Sequence, residues 1–240
     1  MLPDLFGGMD ELSRLLLSAV FVLIAAGVSR WQHADLEKDL FIATVRSFVQ
    51  LILIGYALEL VFDQKSPIFT TLVLVIMVTI AGYTSGGRVK HLQKPRLVGM
   101  IAIAVGSILT IGLLVVFGVF QYVPDDIIPI GGMVVGNAMS TATLVMTRFS
   151  VDLKEQRLMV ESKLALGATS RVASLGLFQK SIRGALVPII DTTKTVGLIK
   201  LPGAMTGMIL AGASPVEAVR LQIIVMYMLV GAATFTGLIA

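Results

Sequence analysis

Three sets of polar side chains interrupt otherwise apolar stretches of this sequence. Arg46, Gln50 and Glu59 stand in one stretch. Asn137, Ser140, Thr141 and Thr143 stand in a second, and Asp191 and Lys194 in a third. Polar groups inside apolar helices are costly, and they mark ion pathways, substrate sites or bonds between helices. Arg46 and Gln50 are one helical turn apart and share a face, as do Asn137, Ser140 and Thr141 at i, i+3, i+4. Gln50 and Glu59, with Asn137, Ser140, Thr141 and Thr143, offer the oxygen ligands of a weakly binding cation path. Arg46 and Lys194 offer the opposite, fixed positive charge that suits an anion or an iron chelate. Each set also has a plainer use. Arg46 can snorkel to the headgroups, the Asn137 set can join helices, and Asp191 and Lys194, at i and i+3, can neutralise each other.

Tight transition-metal chemistry has few ligands here. There is no cysteine, and the two histidines, His33 and His91, fall in predicted loops. Thioethers can hold Cu(I), but the 12 methionines are scattered along apolar helices, where they serve packing. No metal site is assigned. The sequence has no GxxxxGK[ST] phosphate loop, no HExxH and no GxSxG, so neither ATP hydrolysis nor hydrolytic catalysis has visible apparatus. No catalytic residue is assigned, and the chain is not expected to be an enzyme.

The elements that position these residues are membrane spans. Of the 240 residues 56% are hydrophobic and 14% charged, and mean hydropathy is +0.91. A soluble domain is about a quarter charged, so the fold class is an all-α integral membrane protein. Its net charge of +4 lies in loops between apolar stretches, which suits anionic lipid and not nucleic acid. A crossing needs about 20 apolar residues. Candidates run 12–28, 41–62, 68–86, 97–120 and 127–149, then somewhere within 184–213, then from 216 onward. That makes about seven spans in a single transmembrane domain, residues 1–240, because no repeat or linker divides it. The stretch 184–213 is too long for one straight crossing, and Pro188 and Pro202 break its ladder. It is therefore either partly on the membrane surface or kinked or broken. The acidic N-terminus lacks the basic region of a cleaved signal, so the first span is expected to remain. Gly82 with Gly86, Gly132 with Gly136 and Gly203 with Gly207 allow close helix approach.

Arg88, Lys90, Lys94 and Arg96 place the loop 87–96 in the cytosol, and Asp125 and Asp126 place the next loop outside. Alternation puts the N-terminus outside and the C-terminus inside. The longest polar interval, 150–183, is then cytosolic, and its pattern is helical. Asp152 with Glu155 reads as a capping-box start. Gly167 ends that helix, and Thr169 or Ser170 caps a second one, along which Val172, Leu175, Phe178 and Ile182 form an apolar stripe. Such a pair is a docking platform for a protein or a basic loop lying on anionic lipid.

Four segments then narrow the field. Arg46-Ser47-Phe48-Val49-Gln50-Leu51 with Gly55-Tyr56, Gly132-Met133-Val134-Val135-Gly136-Asn137, Leu164-Ala165-Leu166-Gly167-Ala168-Thr169 and Leu201-Pro202-Gly203-Ala204-Met205-Thr206-Gly207 occur in this order. Together they resemble the FetB-type family of bacterial iron-export ABC permeases, which is related to plant permeases of aluminium tolerance. The resemblance covers the chain from the second span to the seventh. It implies a homodimer in the bacterial inner membrane that exports iron and works with a separate ABC ATPase. ATP and Mg would be bound on that partner, and this chain would hold no cofactor. It also implies a coupling helix in the 150–183 segment, with Glu161, Leu164, Gly167, Ala168, Thr169, Ser170 and Arg171 at the ATPase. Glu161 and Gly167 keep the spacing of the Glu-Ala-Ala…Gly coupling motif, but Ser162 and Lys163 replace its alanines and no Leu-Pro follows. Ala204, Met208 and Leu221 stand where the family has Met, Gln and Tyr. The rivals are an ABC permease for a nucleotide sugar or other anion, and an ATP-independent channel or secondary transporter.

Overall fold

Proline at the first turn, followed by an apolar run, starts most of the long helices. The computed structural model describes residues 11–64, 66–89 and 92–240; Lys90, His91 and the acidic residues of 1–10 lie outside the described residues. The chain divides into two units, residues 1–63 and 64–240.

In the first unit α1 (Glu11–Trp31) and α2 (Glu37–Gln64) are joined by a turn in which His33 and Asp35 take positive φ. Ser29 is buried in that turn, and its hydroxyl accepts from the Leu36 backbone N–H at 3.1 Å. Glu37 and Asp39 lie in the first turn of α2, where the helix dipole favours negative charge. None of the apolar window of α2 is buried within the chain.

The second unit holds α3 (Pro67–Gly87), α4 (Pro95–Val116), α5 (Pro124–Glu155), α6 (Arg157–Ala165), α7 (Ser170–Thr195), α8 (Gly203–Leu210) and α9 (Pro215–Ile239). Helices α3, α4, α5 and α9 each carry proline in the first turn, where a missing N–H costs nothing. Side-chain neighbours fix the directions. A Cβ on Gly82 would lie 2.6 Å from Met100 Cα, and one on Gly86 would collide with Arg96, so α3 and α4 form a close antiparallel pair. Thr143 donates to Ser85 Oγ at 2.9 Å, and Gly131 lies beside Leu74, so α5 runs parallel to α3. Asn137 Nδ2 donates to the Leu229 carbonyl at 2.8 Å, and Gly237 lies against Thr141 and Val145, so α9 is parallel to α5. One apolar cluster, around Ile103, Ala138 and Met146, lies toward the basic end; another, around Ile127, Val134 and Val225, lies toward the acidic end.

Among the described residues five helices are long and apolar enough to cross a membrane: α2, α3, α4, α5 and α9. The apolar part of α1, Leu17–Trp31, is shorter. The expected sixth span is not one helix. Helix α7 continues through Pro188 to Thr195, a turn with Gly197 at φ 83° follows, and the 8-residue α8 completes the segment. The kinked-or-broken alternative describes this segment, since α7 runs directly on from the 150–183 interval. The fourth candidate ends at Val116 and not at Phe120, because Gly118 takes φ 68°.

Candidate functional site

The polar interval 150–183 folds differently from its local signals at one end and as they indicate at the other. Helix α5 does not stop at Phe149 but runs on to Glu155, so Asp152 caps nothing. Its carboxylate instead accepts from Lys180 Nζ at 3.0 Å, which ties α5 to α7 beside the edge-to-face pair Phe149–Phe178 at 6.0 Å. The chain breaks at Gln156 and restarts as α6. Gly167 takes φ 87°, a left-handed conformation that glycine adopts without strain, and so ends the segment. Thr169 is the N-cap of α7, and its hydroxyl accepts from the Val172 N–H at 3.4 Å. Ser170 is the first residue of the helix.

The apolar stripe expected on the second helix is also corrected. Helix α7 buries Ala173, Leu177, Ser181 and Ala185, whereas Val172 is 60% and Leu175 44% exposed. Ala173, Ser181 and Ala185 are small and let α7 sit close to the bundle; of the expected stripe Phe178 and Ile182 are half-buried, whereas Val172 and Leu175 point away.

The α6–α7 turn is therefore an outward-facing surface. Leu158 is 80% and Leu166 89% exposed; Leu164 is also exposed, as are Ala165, Gly167, Thr169, Ser170 and Arg171, while Ala168 is half-buried. Glu161 accepts from Arg157 Nε at 2.6 Å. That hydrogen bond, and then the carboxylate's charge, hold the Arg157 guanidinium above its ordinary pKa. At the elbow between α5 and α6 lies a pocket of about 440 Å³, lined by Ser150, Leu153, Lys154, Arg157, Val160 and Glu161. It lies where α5 runs on past Phe149 to Glu155 and the chain breaks at Gln156, which no local signal announces.

The intramembrane polar residues separate into three places. Arg46, Gln50 and Glu59 are all exposed on α2 in the first unit. On α5 Asn137 joins α9, Thr141 is buried and donates to the Asn137 carbonyl at 3.0 Å, and Thr143 joins α3. Ser140 is exposed and donates to Gly136 O. Asp191 and Lys194 are exposed near the end of α7 and do not pair with each other: among the described residues the ion pairs are Arg157–Glu161 and Lys180–Asp152. Among those residues no three His, Cys, Asp or Glu side chains come together as a metal site.

The sequence profile of UPF0014, described as an uncharacterised protein family, matches residues 12–240. This chain belongs to the UPF0014 family. It is 45% identical to the UPF0014 membrane protein STAR2 of Oryza sativa subsp. japonica over 91% of this chain and 77% of that protein. It is likewise 45% identical to Protein ALUMINUM SENSITIVE 3 of Arabidopsis thaliana, over 91% and 80%. Identity is 36% to the probable iron export permease protein FetB of Escherichia coli (strain K12), over 94% and 87%. No solved structure matches it. The resemblance read from the four segments is thus to the right family. With five apolar helices of spanning length, the UPF0014 chain is a multi-pass membrane protein.

Two further features of this UPF0014 fold were not visible as motifs. A cavity of about 600 Å³ opens between α3 and α4, bounded by Leu74, Val78, Ser107, Ile111 and Tyr122. Thr71 and Tyr122 share a hydrogen bond at 2.8 Å beside it. Ser107 Oγ, Gln222 Oε1 and Thr236 Oγ1 are buried without a hydrogen-bond partner. Three scattered polar residues in two apolar runs, α4 and α9, carry no spacing signal, because helix packing alone brings them inside.

Proposed function

We propose that this chain is the permease subunit of an ABC exporter that moves iron out of the cytoplasm. A separate ATPase would bind ATP and Mg, and two copies of this chain would form the membrane part. The two units then act as one transmembrane domain, residues 1–240, with about seven crossings in a bacterial inner membrane. Counted this way, α7 and α8 together make the sixth crossing, which returns the chain to the start of α9.

The observation that carries this reading is the α6–α7 surface. Leu158, Leu166 and Val172 are exposed beside Arg157, Lys163 and Arg171, at the basic end of the bundle and beyond its spans. Large apolar side chains held outward among cations, on a turn fixed by Gly167 and Thr169, suit a protein partner with an apolar cleft and acidic rim. Glu161, Leu164, Ala168, Ser170 and Arg171 would lie in or beside that contact. The coupling-motif spacing of Glu161 and Gly167 supports the ATPase as that partner, and the name of the E. coli relative supports iron as the cargo.

Weak oxygen ligation suits a cargo that must be released; the exposed Ser140 and Asp191 offer it in the second unit, and Gln50 and Glu59 separately in the first. Arg46 and Lys194 favour the second reading, an anion or nucleotide sugar, since fixed positive charge repels a bare cation.

Purification of the tagged chain from its host membranes tests the docking claim. A stoichiometric ABC ATPase is expected in the product, and Leu166→Glu should remove it while leaving the bundle folded. A wild-type chain that comes away with no ATPase favours the channel or secondary-transporter reading. Topology is tested separately, since the chain has no native cysteine. A cysteine at Asp125 should react with an impermeant thiol reagent only from outside, and one at Arg171 only from the cytosol.

A further inference from the structure

On the seven-crossing reading above, in which the sixth crossing begins at Gly184, two charges lie at a depth where lipid cannot solvate them. Helix α7 runs antiparallel to α5: Lys180 meets Asp152, Phe178 meets Phe149 and Gly184 abuts Arg148. At 1.5 Å per residue, Asp191 and Lys194 then lie about 10 and 15 Å farther along the bundle than Gly184. With Gly184 at the cytosolic boundary, as that reading has it, these are about a third and a half of the way through a hydrocarbon core about 30 Å thick. Thr193 and Thr195 turn their hydroxyls back to the carbonyls of Ile189 and Asp191, at 2.7 and 2.8 Å. The carboxylate and the ammonium are left exposed, with no partner among the described residues.

An ion at this depth must face water or an opposite charge. The arrangement supplies that charge if the surface meets a copy of itself. In a two-fold interface residue i contacts j and j contacts i, so an acid and a base three residues apart on one helix satisfy each other twice. Helical side chains lean toward the N-terminus, which brings the long Lys194 side chain back to the level of Asp191 in the other copy. Beyond them the surface stays open: Leu198 and Leu210 are 88% and 83% exposed, and a Cβ on Gly203 or Gly207 would meet nothing.

We propose that Asp191 and Lys194 form two reciprocal ion pairs with Lys194 and Asp191 of a second copy, closing the transport path at mid-depth. The break between α7 and α8 lets this closure part when the ATPase moves α7. Parting the pairs bares two carboxylates to the path together with two ammonium groups. This rests on the dimeric-exporter reading above and assigns that dimer its closing contact.

Cross-linking in native membranes, with the ATPase present, is the test. Copies carrying Asp191→Cys are coexpressed with differently tagged copies carrying Lys194→Cys, and a short thiol cross-linker is added. A covalent dimer carrying both tags is expected, with a several-fold lower yield when ATP hydrolysis is trapped with vanadate. Ile108→Cys, on the exposed side of α4, should give none. Charge reversal supplies a second measurement: Asp191→Lys or Lys194→Asp alone should lower transport about tenfold or more, and the double reversal should restore it. If native mass shows a dimer but Asp191→Cys and Lys194→Cys copies do not join, the closing contact is wrong and the dimeric reading stands. If native mass shows one copy per complex, both fall. A restored double reversal without a covalent dimer would place the pairing within one chain and overturn the proposal.

Discussion

Transport stops while ATP hydrolysis continues when Ala168 is replaced by glutamate. Ala168 is half-buried in the turn between Gly167 and Thr169, which joins α6 to α7 outside the spans. It lies in neither helix and is not among the buried core residues, so the substitution should change stability by no more than about 0.5 kcal/mol. A carboxylate pushed into an apolar cleft leaves an unpaired charge at the centre of the contact. Losses at such positions run to about 2 kcal/mol or more, roughly thirtyfold in affinity. The ATPase would still turn over, but its movement would no longer reach α7. Transport and ATP hydrolysis are measured together on reconstituted protein, with thermal unfolding as the folding control. Normal transport by Ala168→Glu would make the segment a surface loop lying on lipid.

Folding itself should fail, or nearly so, when Gly86 is replaced by leucine. Gly82 and Gly86 are the points where α3 and α4 come closest, and the collision at Gly86 would be with the backbone of Arg96, which cannot turn aside as a side chain can. Overpacking typically costs about 1–3 kcal/mol, and alanine alone should reach that range here. The same pair also holds Arg96 Cζ 4.1 Å above the Tyr83 ring, a contact that would separate with the helices. Gly112→Ala is the control, since a Cβ there meets nothing within 4 Å. Thermal unfolding in nanodiscs should show a fall of several degrees for Gly86→Ala, no fall for Gly112→Ala and no monodisperse product for Gly86→Leu. Equal stability of Gly86→Ala and wild type would contradict the packing.

Much of this fold was readable because membrane spans are set by length and composition. The long apolar runs, Pro67 at a helix start, and the Gly167 and Thr169 punctuation all depend on neighbours within a turn or two. Of the three glycine pairs read as close-approach sites, Gly82 with Gly86 is one, whereas a Cβ on Gly136, Gly203 or Gly207 would meet nothing within 4 Å.

What was misread depended on distant partners. Asp152 and Glu155 look like a helix start, yet the helix continues through them, and only Lys180 shows what Asp152 does. The α7 stripe was chosen by a rule for water-soluble helices, which turn large apolar residues inward. Here the close approach of α7 to α5 decides instead: Ala173, Ser181 and Ala185 take the buried side, while Val172 and Leu175 stay exposed. Asn137 could be seen as polar but not as the partner of Leu229, which is 92 positions away in the chain. The pairing of Asp191 with Lys194 failed for a different reason: spacing permits an ion pair but does not require one.

ATP-dependent iron uptake by inside-out vesicles tests the central claim most directly. The vesicles carry this chain and its ATPase, so export in the cell becomes uptake in the assay. Iron should accumulate only with ATP and both proteins present, and Ala168→Glu should abolish the accumulation without stopping ATP hydrolysis. Uptake of a nucleotide sugar without iron, or iron movement that needs neither ATP nor the ATPase, would contradict it.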